Sequence, residues 1–216
     1  MLSQAVEDYL KAIYQLEDGQ AVSTSELAAR LGVSSASVTS MAKRLAGMGL
    51  VTYESYRGVT LTAAGEKIAL EIIRHHRLLE TYLREIMGYG WEEMHNEAEH
   101  LEHHISEEFE DRLDEMLGYP THDPHGDPIP SREGKIEVVE ADPLTGSPTD
   151  TELQVMRLKD TDTEVLDYLE SVGVLPGAVL TLLDEPGETV RVRVGRRDHT
   201  IDRRIAEHVY VSRPRR

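Results

Sequence analysis

Apolar positions along the first third of the chain alternate between two periods. In residues 4–17, QAVEDYLKAIYQLE, Val6, Tyr9, Leu10, Ile13 and Leu16 recur at helical spacing. Gly19 ends that stretch. Ser23-Thr24-Ser25-Glu26 is a capping-box signature, a Ser followed three residues later by a Glu. The short helix it opens, SELAARL, stops at Gly32. Ser34 starts another, running to about Ala46 and closed by Gly47-Met48-Gly49. The period then changes to two: Val51 and Tyr53, then Val59 and Leu61, flank Ser55-Tyr56-Arg57-Gly58, which predicts a β-hairpin. Helix, helix, tight turn, helix, hairpin is the order of a winged helix-turn-helix, and Ala28 and Ala29 are small enough for close helix approach. A generic small helical bundle with a hairpin is the alternative.

Beyond Thr62 the helical period returns, with Ile68, Ile72, Leu79 and Leu83 on one face, up to about Met87. Gly88-Tyr89-Gly90 interrupts it. A second long helix is predicted over about 91–117, ended by Gly118-Tyr119-Pro120, followed by the Pro-rich HDPHGDPIP. Residues 131–150 are rich in Ser, Gly, Pro and Asp and read as a linker. Strand patterns resume at LQVMRL, GAVLTLLD, ETVRVRVG, HTI and HVYVS, with a short helix at about 163–172 among them. The expected fold is mainly α with small β. It comprises a winged helix-turn-helix (1–62), a helical domain (63–130), a linker (131–150) and a small β-barrel-like domain (151–216).

The formal net charge is -17, which argues against a nucleic-acid partner until its distribution is considered. Segment 91–117 carries eleven acidic residues against Arg112 alone, whereas residues 1–60 are close to neutral. The acidity lies outside the predicted DNA-reading module, where it suits cations; a solvated acidic surface of a salty cytoplasm gives the same composition. There is no Cys, which excludes disulfides, thiolate metal sites and Cys nucleophiles. One Trp and one Phe leave little for stacking on single strands. No membrane-length apolar run or signal peptide is seen, so a cytoplasmic location is expected.

The chemistry concentrates in HNEAEHLEHH, residues 95–104. His95, Glu99, Glu102 and His103 fall on one face of a continuous helix; His76 and Glu80 share a face of the preceding helix, and Asp8 lies in the first. Carboxylates with imidazoles and no sulfur suit Mn(II), Fe(II), Zn(II) or Co(II), and the oxygen-rich balance leans to Mn(II). A merely solvated face explains Glu92, Glu93, Glu107, Glu108 and Glu110, but clustered like charges at Glu99 and Glu102 need something to neutralise them. His75, His100 and His104 point elsewhere, and His122 and His125 have no assignable partner. On the reading helix, Ser34, Ser35, Ser37, Thr39 and Ser40 are candidates for phosphates or base edges, with Lys43 and Arg57 for phosphates. No Arg, Asn or Gln stands early in that helix for bidentate base reading, so shape readout should dominate. An enzyme is the competing class, but HExxH, a nucleophile and a Gly-rich substrate loop are all missing. A metal-independent winged-helix regulator with a protein partner is another.

These residues resemble the diphtheria toxin repressor family of metal-dependent regulators. The likeness covers EDYLKAIYQLEDG (7–19), the helix-turn-helix (23–48), GLVTYESYRGVTLTAAG (49–65), RHHRLLETYL (74–83), HNEAEHLEHHIS (95–106) and HGDPIP (125–130). The C-terminal part looks like the family's SH3-like domain, related to a ferrous-iron transport accessory protein. The resemblance implies a primary metal site at Asp8, Glu99, Glu102 and His103. It also implies an ancillary site at His76, Glu80 and His95, with Asp160, Asp162 and Glu164 as weak candidates from the C-terminal domain. It implies a homodimer on double-stranded operator DNA, with no membrane partner and no small organic substrate. Iron-type members have sulfur residues at the positions of Asp8 and Glu99; the carboxylates here match manganese-type members. Compact manganese-type members have Glu where this chain has Lys11, so their closely spaced binuclear site is not expected. The expected metal is Mn(II), with Fe(II) as the alternative and Co, Zn, Ni or Cd substituting in vitro.

Overall fold

A computed structural model of the chain describes residues 2–137, 140–159 and 162–214. It divides into two compact units. One is Met1–His76 with Glu99–Glu110 and Pro130–Lys135; the other is Arg77–Ala98 with Asp111–Ile129 and Ile136–Arg216.

The first unit opens with α1 (Gln4–Leu16), α2 (Thr24–Leu31) and α3 (Ser35–Gly47), then a hairpin of β1 (Val51–Glu54) and β2 (Gly58–Leu61), then the start of α4 (Ala63–Glu85). The starts are those their caps dictate. Ser23 Oγ accepts from Glu26 N at 3.2 Å while Glu26 Oε2 accepts from Ser23 N at 2.9 Å, so two otherwise unpaired N–H groups are satisfied reciprocally. Gly32 ends α2 in the left-handed region, φ 63°, which lets the chain turn at once into α3. Val51 pairs with Leu61 and Glu54 with Gly58. Val22 and Val59 exchange backbone hydrogen bonds of 2.9 Å in both directions, tying the hairpin to the segment before α2. Val6, Leu10, Ile13, Leu27, Val38, Leu45 and Val59 form the core and are essentially inaccessible. Each contributes roughly 1.5–3 kcal/mol by leaving water.

The acidic segment 91–117, expected as one helix, is two: α5 (Trp91–Leu101) and α6 (Glu107–Met116), with a turn at 102–104. Ser106 is the reason. Its Oγ accepts from Phe109 N at 3.2 Å and its carbonyl from Glu110 N at 2.9 Å, so α6 has its own capped start. Glu107, Glu108 and Glu110 then occupy the first turn of α6, where the helix dipole favours negative charge. Glu102 and His103 are consequently turn residues.

In the second unit, a six-stranded antiparallel sheet has the order β3-β8-β4-β5-β6-β7. The strands are β3 (Asp142–Pro143), β4 (Glu152–Leu158), β5 (Val179–Asp184), β6 (Thr189–Val194), β7 (Arg197–Asp202) and β8 (Val209–Ser212). α7 (Thr163–Ser171) follows β4, and the short α8 (Arg203–Ala206) follows β7. Register shifts at Val155/Arg157 and Leu182/Asp184 bend the strands as bulges do. Leu153, Val155, Leu158, Leu180, Leu182, Val190, Val192, Ile201, Val209 and Val211 alternate inward to form its core with Leu166 and Leu169 of α7. The stretch 131–150, read as a linker, contains β3, which pairs with Tyr210 and Val211, and Leu144 beside it is fully buried. Two residues of strand are too short to show a period in sequence.

Candidate metal centre

In the first unit, α1 and the turn after α5 bring acidic and imidazole groups together. Asp8, Glu102 and His103 each offer a ligand atom within 4.8 Å of the others. His103 Nε2 lies 2.9 Å from Asp8 Oδ1 and 3.4 Å from Glu102 Oε1. It is buried yet out of hydrogen-bond alignment with any group. A buried ring nitrogen aimed between two carboxylates, with no proton partner, is the geometry a divalent cation needs. The other ring nitrogen, Nδ1, lies 2.7 Å from Glu7 Oε2, a contact that orients the ring. His75 Nδ1 meets the Glu102 carbonyl at 3.0 Å and its Nε2 meets Glu110 Oε2 at 3.1 Å. His75 therefore anchors the turn rather than facing the cluster. The donor set of two carboxylates and one imidazole fits a hard divalent ion.

Lys11 reaches the same place. Its Nζ donates to Glu99 Oε1 at 2.8 Å and to both Glu102 oxygens at 2.9 and 2.8 Å. Glu102 Oε2 also lies 2.6 Å from His76 Nδ1, and Glu99 Oε1 is 3.8 Å from the same nitrogen. Glu102 has no exposed surface, so without the Lys11 ammonium and the His76 ring beside it its charge would be costly. Burial pushes the Asp8 carboxyl above its ordinary range; Glu102 and Glu99 push the same way, and His103 and Lys11 oppose them. A site that resists holding its own negative charge is one a cation stabilises.

A second cluster lies in the other unit. Glu80, 2% exposed, has Oε1 3.0 Å from His95 Nδ1 and 3.9 Å from His125 Nε2. The His125 ring packs against Trp91, centroids 5.0 Å apart. Asp123 is buried beside them. Its Oδ1 accepts from the backbone N–H of His125 and of Asp127, each at 2.9 Å, and its Oδ2 is 3.4 Å from Arg77 Nε. Burial, then Asp127 and Glu80, raise the Asp123 carboxyl well above its usual range against the pull of Arg77. Of the C-terminal candidates, Asp162 caps α7 by accepting from Glu164 N at 3.0 Å and Glu164 is exposed. Asp160 lies outside the described residues.

The comparisons with known proteins agree along the whole chain. Residues 1–59 match the family described as iron dependent repressor, N-terminal DNA binding domain. Residues 62–131 match iron dependent repressor, metal binding and dimerisation domain, and 135–213 match the FeoA domain. The iron-dependent repressor IdeR of Mycobacterium tuberculosis (strain H37Rv) is 32% identical, over 98% of this chain and 98% of its own. The chain belongs to the iron-dependent repressor family. The regulator MntR of Bacillus subtilis is 38% identical over 55% of this chain and 84% of its own length. A solved manganese-dependent transcriptional repressor, in complex with manganese, superposes with a TM-score of 0.88 at 35% identity, covering 96% of this chain and 99% of the other. Members of this family are metal-dependent DNA-binding transcriptional repressors, not enzymes, and this chain is one.

In this repressor the residues proposed to read DNA lie on α3 and the wing. Ser34, Ser35, Ser37, Ser40, Lys43 and Arg57 are exposed and Thr39 is partly so. Several hydroxyls are already engaged: Ser34 Oγ accepts from Ser37 N at 3.2 Å, and Thr39 donates to the Ser35 carbonyl at 2.9 Å. Arg57 pairs with Glu54 at 2.9 Å on the surface. Tyr56, at the hairpin tip with φ 67° and its side chain fully exposed, was not singled out from sequence. Neither were Glu7, Asp123 or His125. The one available signal was that HDPHGDP places three acceptor side chains within five residues, an arrangement a turn can converge.

Proposed function

We propose that this repressor binds operator DNA as a homodimer when loaded with Mn(II) and so controls metal-ion homeostasis genes. The ion would be held by Asp8, Glu99, Glu102 and His103. The observation that carries this reading is that Asp8, on the first helix of the DNA-binding head, lies 2.9 Å from His103 Nε2 and offers a carboxylate oxygen within 4.8 Å of one on Glu102. A divalent ion supplies the positive charge that these carboxylates lack. Asp8, like Glu7 and Lys11 on the same helix, ties α1 to the turn after α5, so its engagement by an ion would restrain the head. Two heads fixed roughly 34–36 Å apart would fit successive major grooves. Shifting heads from mostly misplaced to mostly placed requires a preference of roughly 5 kcal/mol. The oxygen-rich donor set supports Mn(II); Fe(II) is the alternative, because relatives of both kinds are similar to this chain. Among the described residues no helix is long and apolar enough to cross a membrane, and we place the repressor in the cytoplasm.

A second ion would be held on Glu80 and His95, with His125 and Asp123 beside them. His76, expected as the third ancillary ligand, is bonded to Glu102. The test is anaerobic binding to DNA selected from random sequence in Mn(II), titrated with Mn(II) or Fe(II) against a chelator control. Mn(II) should sustain binding, and Glu102→Gln should abolish the response. Normal binding in chelator, or a normal Mn(II) response in the variant, would overturn the reading.

A further inference from the structure

We propose that Lys11 is a tethered cation that occupies the metal-binding carboxylates until an ion displaces it, and that it thereby sets the concentration at which the site loads. The inference rests on the proposed site at Asp8, Glu99, Glu102 and His103. Lys11 stands three residues after Asp8 on α1, hence on the same helix face. It is 6% exposed, and its ammonium is spent entirely on Glu99 Oε1 and the two oxygens of Glu102. A buried ammonium is tolerated only when paired and hydrogen-bonded, and the same holds for the fully buried Glu102. Each is therefore the other's reason for being there.

The competition follows from lone pairs and charge. Both Glu102 oxygens already accept from Lys11, and Oε2 also meets His76. Whatever takes a Glu102 oxygen must draw it away from the ammonium. The three carboxylates Asp8, Glu99 and Glu102 carry three negative charges and Lys11 returns one, leaving two, the charge of one divalent ion. Lys11 thus leaves room for a single ion and raises the threshold for it. Because Lys11 and Asp8 share α1, releasing Glu102 from the first and engaging the second act on the same helix of the DNA-binding head.

The variant to make is Lys11→Met, which keeps the apolar stem and removes the charge. In the full-length protein, Mn(II) affinity is read by the electron paramagnetic resonance of free Mn(II), and thermal unfolding is followed in chelator and in Mn(II). Affinity should rise at least about tenfold, as expected from removing a like charge within a few ångströms of the ion. The metal-free protein should melt at a lower temperature than wild type, because Glu99 and Glu102 lose their counter-ion, and the stabilisation by Mn(II) should widen. Lys11→Arg, which keeps the charge, should bind more weakly than Lys11→Met. Unchanged or weaker Mn(II) affinity in a folded Lys11→Met protein would overturn the proposal. Should that variant not fold, Lys11→Gln gives the same readout. If Glu102→Gln leaves Mn(II) affinity intact, the site itself is misassigned; if it weakens binding while Lys11→Met fails to tighten it, Lys11 alone is.

Discussion

Glu7 and Asp8 face opposite nitrogens of the His103 ring. Glu7 Oε2 lies 2.7 Å from Nδ1 and Asp8 Oδ1 lies 2.9 Å from Nε2, so a cation bound at Nε2 would leave the ring proton on Nδ1, directed at Glu7. Partners of this kind hold the ring in the ligating tautomer and raise its basicity, and losing one typically costs about 10–100-fold in metal affinity. Glu7→Ala should therefore weaken Mn(II) binding by that factor in a calorimetric titration, with the fold intact. Glu7→Gln, which retains an acceptor but no charge, should fall between. Wild-type affinity in Glu7→Ala would mean that packing alone orients His103.

Acid should destabilise the metal-free protein partly through Glu110. Burial works against its charge, but hydrogen bonds from His75 and Arg74 and their charges prevail and bring its pKa to about 2 from 4.5. The folded value is depressed, so the stabilisation is present above about pH 4.5 and is lost as pH falls from there through about 2. It amounts to up to about 3 kcal/mol. Urea unfolding of wild type and Glu110→Gln at pH 6, 4 and 3, in chelator, should show a difference that shrinks across that interval. A difference independent of pH would show that Glu110 contributes through shape rather than charge.

The DNA-binding head was legible in sequence because its signals are local. The capping box at Ser23 and Glu26, Gly32 after α2 and the two-residue period either side of Ser55-Tyr56-Arg57-Gly58 each act within a few residues, and each is realised in the fold. The break at 102–104 was hidden because a helix face of acids and a helix interrupted among acids have the same composition; Ser106 was the signal. For the proposed metal cluster, helical spacing selected Glu99, Glu102 and His103, yet Glu102 and His103 occupy a turn, so the grouping was read from an idealised geometry. Lys11 was read only as a residue unsuited to ligate. Its three hydrogen bonds to Glu99 and Glu102 span 88 and 91 residues, and no periodicity reports a pairing that long. Asp123 and His125 were missed for the same reason: what gathers them near Glu80 is a loop held on the sheet.

That loop depends on Gly126. Its φ is +85°, and a Cβ there would lie 2.1 Å from the Met156 carbonyl oxygen and 2.9 Å from Arg157 Cα. Backbone atoms cannot yield as a side-chain tip does, and His125 O accepts from Leu158 N at 2.8 Å just beside it. Gly126→Ala should cost about 2 kcal/mol or more from positive φ and overlap together. The measurement is urea unfolding followed by ellipticity. Because the shift moves His125 away from Glu80, the variant should also lose any second ion while keeping the one on Asp8, Glu102 and His103. Loss of both, or of neither, would contradict the independence of the two clusters.

Arg57 and Lys43 should act on DNA through charge alone. Arg57 is paired with Glu54 on the open surface, both side chains more than half exposed. Such a pair is worth little, about 0–1 kcal/mol, so exchanging Glu54 for a phosphate costs almost nothing. Each phosphate contact releases counter-ions, and removing one lowers the slope of log affinity against log salt by about 1. Arg57→Ala and Lys43→Ala should thus weaken Mn(II)-dependent binding evenly across operator variants and flatten the salt dependence by about 1 per protomer. Tyr56→Ala, at the same hairpin tip but uncharged, should leave the slope unaltered even if it lowers affinity. Fluorescence anisotropy on one operator and its point variants over a salt series gives both quantities. A slope unchanged by Arg57→Ala would remove the wing from the electrostatic interface, and an effect confined to particular base changes would make Arg57 a reader of sequence.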